Sequence, residues 1–153
     1  MLASVQATMT SSGRGAWPGY AAALWALIFT VLHLVWASGS YVGLDKQEAR
    51  RVFARTGFLV YDLVVAGVCA VGVAVALAFV QPWGRRLPRR LLGVLAWGGT
   101  ALLLLRSAGS LVQTVYLIAA GRFSADPMQL WELWFYSGAF LFCLSTWRFW
   151  NRA

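Results

Sequence analysis

The chain has 153 residues, of which 60% are hydrophobic and 12% are charged, and its net charge is +8. Four long apolar runs use so much of this length that no separate soluble domain fits beside them. The basic residues lie between the runs and do not form an interleaved basic and aromatic surface, which argues against nucleic-acid binding. Arginines beside membrane spans are instead expected to contact anionic lipid headgroups.

Each apolar run exceeds the roughly 20 residues that cross a hydrocarbon core of about 30 Å. The sequence therefore predicts an all-α, multi-pass integral membrane four-helix bundle. The predicted spans cover about residues 19–42, 57–80, 91–120 and 128–147. They form one transmembrane domain over residues 17–150, which follows a disordered cytoplasmic tail over residues 1–16.

Lys and Arg residues are distributed unequally over the two sides of the predicted bundle. Seven arginines belong to the side that holds the N-terminal tail, the second loop and the C-terminus, and five Lys or Arg residues belong to the other side. Because cytoplasmic loops carry the excess of positive charge, this distribution predicts that both termini are cytoplasmic.

The first loop has a pattern of its own. Asp45 is a suitable N-cap, and Glu48 follows three residues later, as in a capping box. Ala49, Val52 and Phe53 give the same segment an apolar side. The pattern predicts a short interfacial helix in this loop.

Ionisable residues are rare inside membrane spans because they are costly there, and one occurs in each predicted span. These residues are His33, Asp62, Arg106 and Glu132. Each shares a helix face with small or polar residues, which directs it into the bundle rather than toward lipid. In the second span the face consists of Asp62, Ala66, Cys69, Val73 and Ala76. In the third span it consists of Gly99, Arg106, Ser110 and Gln113.

Depth places most of these groups together. Counting about 1.5 Å per residue from the outer ends of the spans puts Asp62 and Glu132 roughly 6–8 Å deep, Gln113 about 9 Å and His33 about 14 Å. Arg106 lies at roughly 20 Å, which is closer to His33 than to the carboxylates. The outer half of the bundle is therefore predicted to enclose a polar cavity. Tyrosines at similar or shallower depth add hydroxyl groups to it: Tyr41, Tyr61, Tyr116 and Tyr136.

Three interpretations of the polar residues stay open, and one of them is ligand or ion coordination. In the catalytic one, Asp62 and Glu132 are a paired acid and base, since two close buried carboxyl groups hold their protons with different strength. His33 is then a candidate proton shuttle. In the structural one, these groups pair with Arg106, with Gln113 or with tyrosine hydroxyls and hold the bundle together.

Candidate binding residues complete the predicted site. Arg106 is a candidate for holding an anionic headgroup, and the other candidates for ligand contact are Gln113, Trp36, Tyr61 and Tyr136. One histidine, two dispersed carboxylates and two dispersed cysteines match no zinc or copper spacing, so no metal site is predicted. The sequence indicates no particular cofactor.

Four short motifs carry a family resemblance: His33-Leu-Val-Trp36-Ala-Ser-Gly39, Gly43-Leu44-Asp45, Leu105-Arg106-Ser-Ala-Gly109 and Trp131-Glu132-Leu-Trp134-Phe135. They resemble those of a family of small four-span bacterial integral membrane proteins, mainly actinobacterial, known as a domain of unknown function. The similarity covers nearly all of residues 17–150. It implies the four-span topology and singles out His33, Trp36, Arg106 and Glu132, without implying an activity.

The predicted function is the binding of a lipophilic or amphiphilic small molecule in the polar pocket. One alternative is a non-catalytic accessory subunit of a larger membrane complex. Another is a membrane enzyme that performs acid–base chemistry on a lipid or isoprenoid with Asp62 and Glu132. The expected partners are the lipid bilayer, a lipophilic ligand, and a membrane protein or a second copy of the chain. The expected location is the inner (cytoplasmic) membrane of a bacterium.

Overall fold

The computed structural model describes residues 2–123 and 127–151, with side chains over 16–123 and 131–151. All regular structure in these ranges is helical, which confirms the all-α class. The α-helices are α1 (Leu2–Ala37), α2 (Lys46–Phe53), α3 (Thr56–Ala78), α4 (Arg89–Ala119) and α5 (Pro127–Asn151). A 3-10 turn at Pro82–Arg86 joins α3 to α4.

Three helical segments among the described residues are long and apolar enough to cross a membrane. They are Ala16–Ala37 in α1, Thr56–Ala78, which is all of α3, and Arg89–Ala119, which is all of α4. Their outward faces carry exposed large apolar side chains such as Leu24, Val64 and Leu105. A surface of this kind is favourable in lipid and unfavourable in water. These features indicate a membrane protein.

Helix α1 is the central packing element, and its neighbours run antiparallel to it. Gly19, near the start of its apolar segment, lies against Val80 just after α3, while His33 near its end faces Asp62 at the start of α3. Against α5, the Trp25 indole donates a hydrogen bond to the carbonyl of Trp134 over 3.0 Å. The core at these contacts consists mainly of alanines and aromatic rings.

Helix α4 completes the arrangement by packing against α5. The buried hydroxyls of Thr100 and Thr146 lie 3.3 Å apart across this contact. Between α3 and α4, in contrast, an apolar cleft of about 520 Å³ separates the two helices over much of their length. The helices are therefore arranged in the order α3, α1, α5 and α4.

Helix α1 includes most of residues 1–16, the segment predicted as a cytoplasmic tail. The helix begins at Leu2 and continues without a break through Pro18 to Ala37. Extending an existing helix needs no new nucleus, which offsets part of the cost of the Thr, Ser and Gly residues in this segment.

The predicted faces agree with the structure in α3 and differ in α4. Asp62, Ala66 and Ala76 are buried in α3, as expected from the small-residue seam. In α4 the buried side consists of Leu92, Gly93, Ala96, Thr100, Ser107 and Ser110, so Ser110 is the one residue of the predicted face that is buried. A Cβ atom added at Gly99 would meet nothing within 4 Å. The prediction that this glycine lies on a packing face is therefore wrong.

Candidate functional site

His33 is held in one orientation by its own helix. The ring nitrogen Nδ1 lies 2.9 Å from the carbonyl oxygen of Phe29. Since a carbonyl only accepts, Nδ1 carries the proton, and Nε2 is the nitrogen that faces Asp62. The rings of Phe29 and Trp36 flank the imidazole, with centroid distances of 4.3 and 5.0 Å.

Asp62 is the most buried acidic side chain that the structure describes, with 3% of its surface exposed. One carboxylate oxygen, Oδ1, lies 3.8 Å from His33 Nε2, which is too long for a direct hydrogen bond. The other, Oδ2, is buried and has no hydrogen-bond partner among the described residues. Leaving a buried polar atom unsatisfied costs about 1–3 kcal/mol. A hydrogen-bond donor that reached Oδ2 would therefore be bound favourably.

A cavity of about 560 Å³ opens above this pair, bounded by α1, α2, the start of α3 and Trp131 of α5. Asp62 and His33 form its buried floor, while Tyr61 and Glu48 are exposed at its mouth. Most of the lining is apolar or aromatic. The remaining lining residues are Trp36, Gly43, Leu44, Asp45, Ala49, Val52, Phe53 and Phe58.

Helix α2 forms one wall of the cavity, and its start was predicted correctly. The Asp45 side chain caps the helix by accepting hydrogen bonds from the backbone N–H groups of Gln47 and Glu48, over 3.0 and 2.8 Å. Residues spaced three and four apart share a helix face. The face that starts at Asp45 and continues through Ala49 and Phe53 therefore lines the cavity.

The loop before α2 packs against α1 and α5. The Trp36 indole Nε1 donates to the Val42 carbonyl over 2.9 Å, and its ring packs edge-on against Trp131 at 5.8 Å. Gly43 follows with φ of +77°, a left-handed conformation that favours glycine. These contacts place the loop against the start of α5 and close one end of the cavity.

Arg106 and Glu132 form a second polar cluster between α4 and α5. Two parallel hydrogen bonds of 3.0 Å join the guanidinium of Arg106 to the carboxylate of Glu132. The guanidinium also lies 4.3 Å above the ring of Phe135 and contacts the Ser110 hydroxyl. This bidentate geometry pairs the two opposite charges and links α4 to α5, with the Arg106 side chain about half exposed.

The position of Arg106 corrects the predicted depth. The prediction placed it closer to His33 than to the carboxylates, whereas it pairs with Glu132. Helix α4 has 31 residues and is therefore about 46 Å long, more than a bilayer core needs. Counting residues from the C-terminal end of α4 therefore places Arg106 too deep relative to Glu132.

The structure brings together only part of the predicted site. His33, Trp36, Tyr61 and Asp62 share the cavity. Asp62 and Glu132 lie in separate pairs, so they do not assemble as the acid and base of one dyad.

The remaining predicted site residues lie elsewhere. Gln113 is exposed on the C-terminal part of α4, where most side chains are exposed. Tyr136 has a buried hydroxyl without a partner among the described residues, and it does not line the cavity. Arg106 and Glu132 are engaged with each other. The polar groups of α4 and α5 are therefore separate from the cavity.

Sequence reasoning missed the aromatic wall of the cavity. Phe53, Phe58 and Trp131 come from three different segments and line one space. The apolar side of α2 is the one feature of the sequence that points to this wall, and its pattern predicts contact with the membrane interface. Only the fold shows that this side covers the groove between α1 and α3.

Such an arrangement is suited to binding more than to metal chemistry. Within the described residues, no three His, Cys, Asp or Glu side chains converge on a point, and Cys69 and Cys143 are free thiols. The floor offers a carboxylate acceptor and an adjacent imidazole, and the walls offer aromatic rings. A ligand with an apolar body and one polar head fits both.

Comparison with known proteins gives a family and no activity. Among curated proteins and among solved structures, none matches the chain. The family described as "Protein of unknown function (DUF3995)" matches residues 26–144, which include both polar clusters and the whole cavity. The resemblance to a domain of unknown function, predicted from the four motifs, is confirmed. The chain belongs to the DUF3995 family.

Proposed function

We propose that this protein binds a lipophilic or amphiphilic small molecule in the cavity above His33 and Asp62. The observation that carries the proposal is the buried, unpartnered Oδ2 of Asp62 at the floor of a mostly apolar space of about 560 Å³. Small-molecule sites are typically concave, of about 300–1,000 Å³, and lined by apolar side chains with a few polar groups. The cavity matches that description in size and in chemistry.

We further propose that α5 is a fourth span and that both termini are cytoplasmic, in a bacterial inner membrane. Helix α5 has 25 residues, packs antiparallel to α1 and α4, and exposes Leu133 and Phe140. The unequal distribution of Lys and Arg supports the orientation. In a cysteine-free background, a cysteine at Gln47 should react with an impermeant thiol reagent in spheroplasts and one at Arg86 should not. The opposite labelling would overturn the orientation.

The other two candidate functions have less support. Acid–base catalysis on a lipid or isoprenoid was based on a dyad of Asp62 and Glu132, and these residues lie in separate pairs. An accessory-subunit role is compatible with the open cleft between α3 and α4, but lipid tails can fill that cleft equally well.

Filling the cavity tests the binding proposal. Val52 lines the cavity and is only half-buried, so Val52→Trp projects a large ring into the space with little strain on the core. We expect this variant to lose the small molecule that co-purifies with the wild-type protein, as measured by native mass spectrometry from a non-ionic detergent.

The matched control is Gln47→Trp, which adds the same ring to the exposed side of α2. It should retain the bound molecule. Equal retention in both variants, or no bound molecule in the wild-type protein, would contradict the proposal. A stable complex with another membrane protein that survives Val52→Trp would favour the accessory-subunit alternative.

A further inference from the structure

We infer that the occupant of the cavity is a lipophilic organic cation, an inference that rests on the proposed binding function. The first argument is the distribution of charge. The chain contains five acidic residues, and three of them, Asp45, Glu48 and Asp62, line the cavity. The chain also contains 13 Lys and Arg residues, and none of those with a described side chain lines it. The cavity therefore has the charge opposite to that of the chain as a whole.

Helix α2 and its N-cap residue carry both acidic and basic side chains, and only the acidic ones line the cavity. Its acidic side chains, Asp45 and Glu48, lie on the face that lines the cavity. Its basic side chains, Lys46, Arg50 and Arg51, are exposed and do not line the cavity. Carboxylates that line an apolar space attract cations at short range and repel anions.

Aromatic rings form the second argument. Phe53 packs edge-on against Phe58 at 4.8 Å, and Phe58 lies 5.9 Å from Tyr61, so these rings form a continuous wall of the cavity. Trp36 and Trp131 form an edge-on pair on another side. The face of an aromatic ring attracts cations, and several rings around one space are a common way of binding organic ammonium groups.

The floor of the cavity supplies the third argument. Asp62 is buried with Oδ2 unpartnered, and the nearest ring nitrogen among the described residues is Nε2 of His33, 3.8 Å from Oδ1. The Nδ1–H group of His33 already donates a hydrogen bond to the Phe29 carbonyl. A cationic head that reaches the floor would neutralise this carboxylate, whereas an anionic head would be repelled by Asp62.

Probes that share a shape and differ in charge test the inference. Tetraphenylphosphonium, tetraphenylborate and triphenylphosphine oxide are a cation, an anion and a neutral molecule with similar aromatic bodies. Each is dialysed to equilibrium, in a separate sample, against the purified full-length protein in a non-ionic detergent, with protein-free micelles as the blank. We expect binding of the cation, roughly tenfold weaker binding by Asp62→Asn, and no binding of the anion above the blank.

The outcomes separate this inference from the proposed function. If the neutral or anionic probe binds as tightly as the cation and Val52→Trp abolishes that binding, the cavity is a ligand site and the cationic class is wrong. If the cation binds equally to the wild-type protein and to Asp62→Asn, the carboxylate does not select charge and the inference fails. If no probe binds, the cationic class is also wrong, and the co-purified molecule of the Val52→Trp experiment decides the proposed function independently.

Discussion

Gly138→Ala is expected to lower the free energy of unfolding by about 1–3 kcal/mol, because it forces an extra carbon into a closed contact. A Cβ atom at Gly138 would lie 2.3 Å from Cζ2 of Trp25. The indole cannot easily move away, since it is buried, hydrogen-bonded to the Trp134 carbonyl and stacked on the Trp134 ring. The contact between α1 and α5 must therefore open.

Gly109→Ala is the matched control for this substitution. Gly109 lies in α4, and an added Cβ meets nothing within 4 Å. Alanine is the better helix former, so this variant should be neutral or slightly more stable. The unfolding temperatures of the two variants are compared in the same detergent. If the two variants unfold at the same temperature, the assigned contact between Trp25 and Gly138 is wrong.

Asp62→Asn is expected to leave the free energy of unfolding unchanged within about 1 kcal/mol, or to raise it, while retention of the bound molecule falls. Asparagine has nearly the same shape, and removing a buried charge removes its desolvation cost. The substitution leaves no unpaired charge behind, because His33 can be neutral. The carboxylate is thus predicted to serve binding rather than stability.

Thr100→Val provides the structural comparison. The hydroxyls of Thr100 and Thr146 form a buried contact between α4 and α5, away from the cavity. Losing it should cost about 1 kcal/mol and leave ligand retention unchanged. Thermal unfolding and native mass spectrometry of both variants give the two readouts. A loss above about 3 kcal/mol for Asp62→Asn with normal retention would identify Asp62 as a structural ion-pair partner.

Local patterns in the sequence predicted the elements that depend on local physics. Asp45 and Glu48 predicted the start of α2 because capping involves only neighbouring backbone groups. The seam of Asp62, Ala66 and Ala76 predicted the buried side of α3 because small residues allow close helix packing.

Features that depend on how helices are placed relative to one another could not be predicted in this way. The pair of Arg106 and Glu132 depends on how far α4 extends past the start of α5, and residue counting does not determine that shift. The aromatic wall depends on α2 covering the groove between α1 and α3. A helix with one apolar face has the same pattern whether that face meets lipid or protein.

The central claim is that His33 and Asp62 form the floor of an occupied ligand cavity, and His33 itself is the most direct reporter. The chain contains one histidine, so ¹⁵N-histidine labelling gives ring signals from this residue alone. Spectra are recorded for the wild-type protein as purified, for the same protein after delipidation, and for Val52→Trp. We predict that the Nε2 signal shifts on delipidation and that Val52→Trp resembles the emptied protein, with Nδ1 protonated throughout. An identical Nε2 signal in all three samples would contradict the claim.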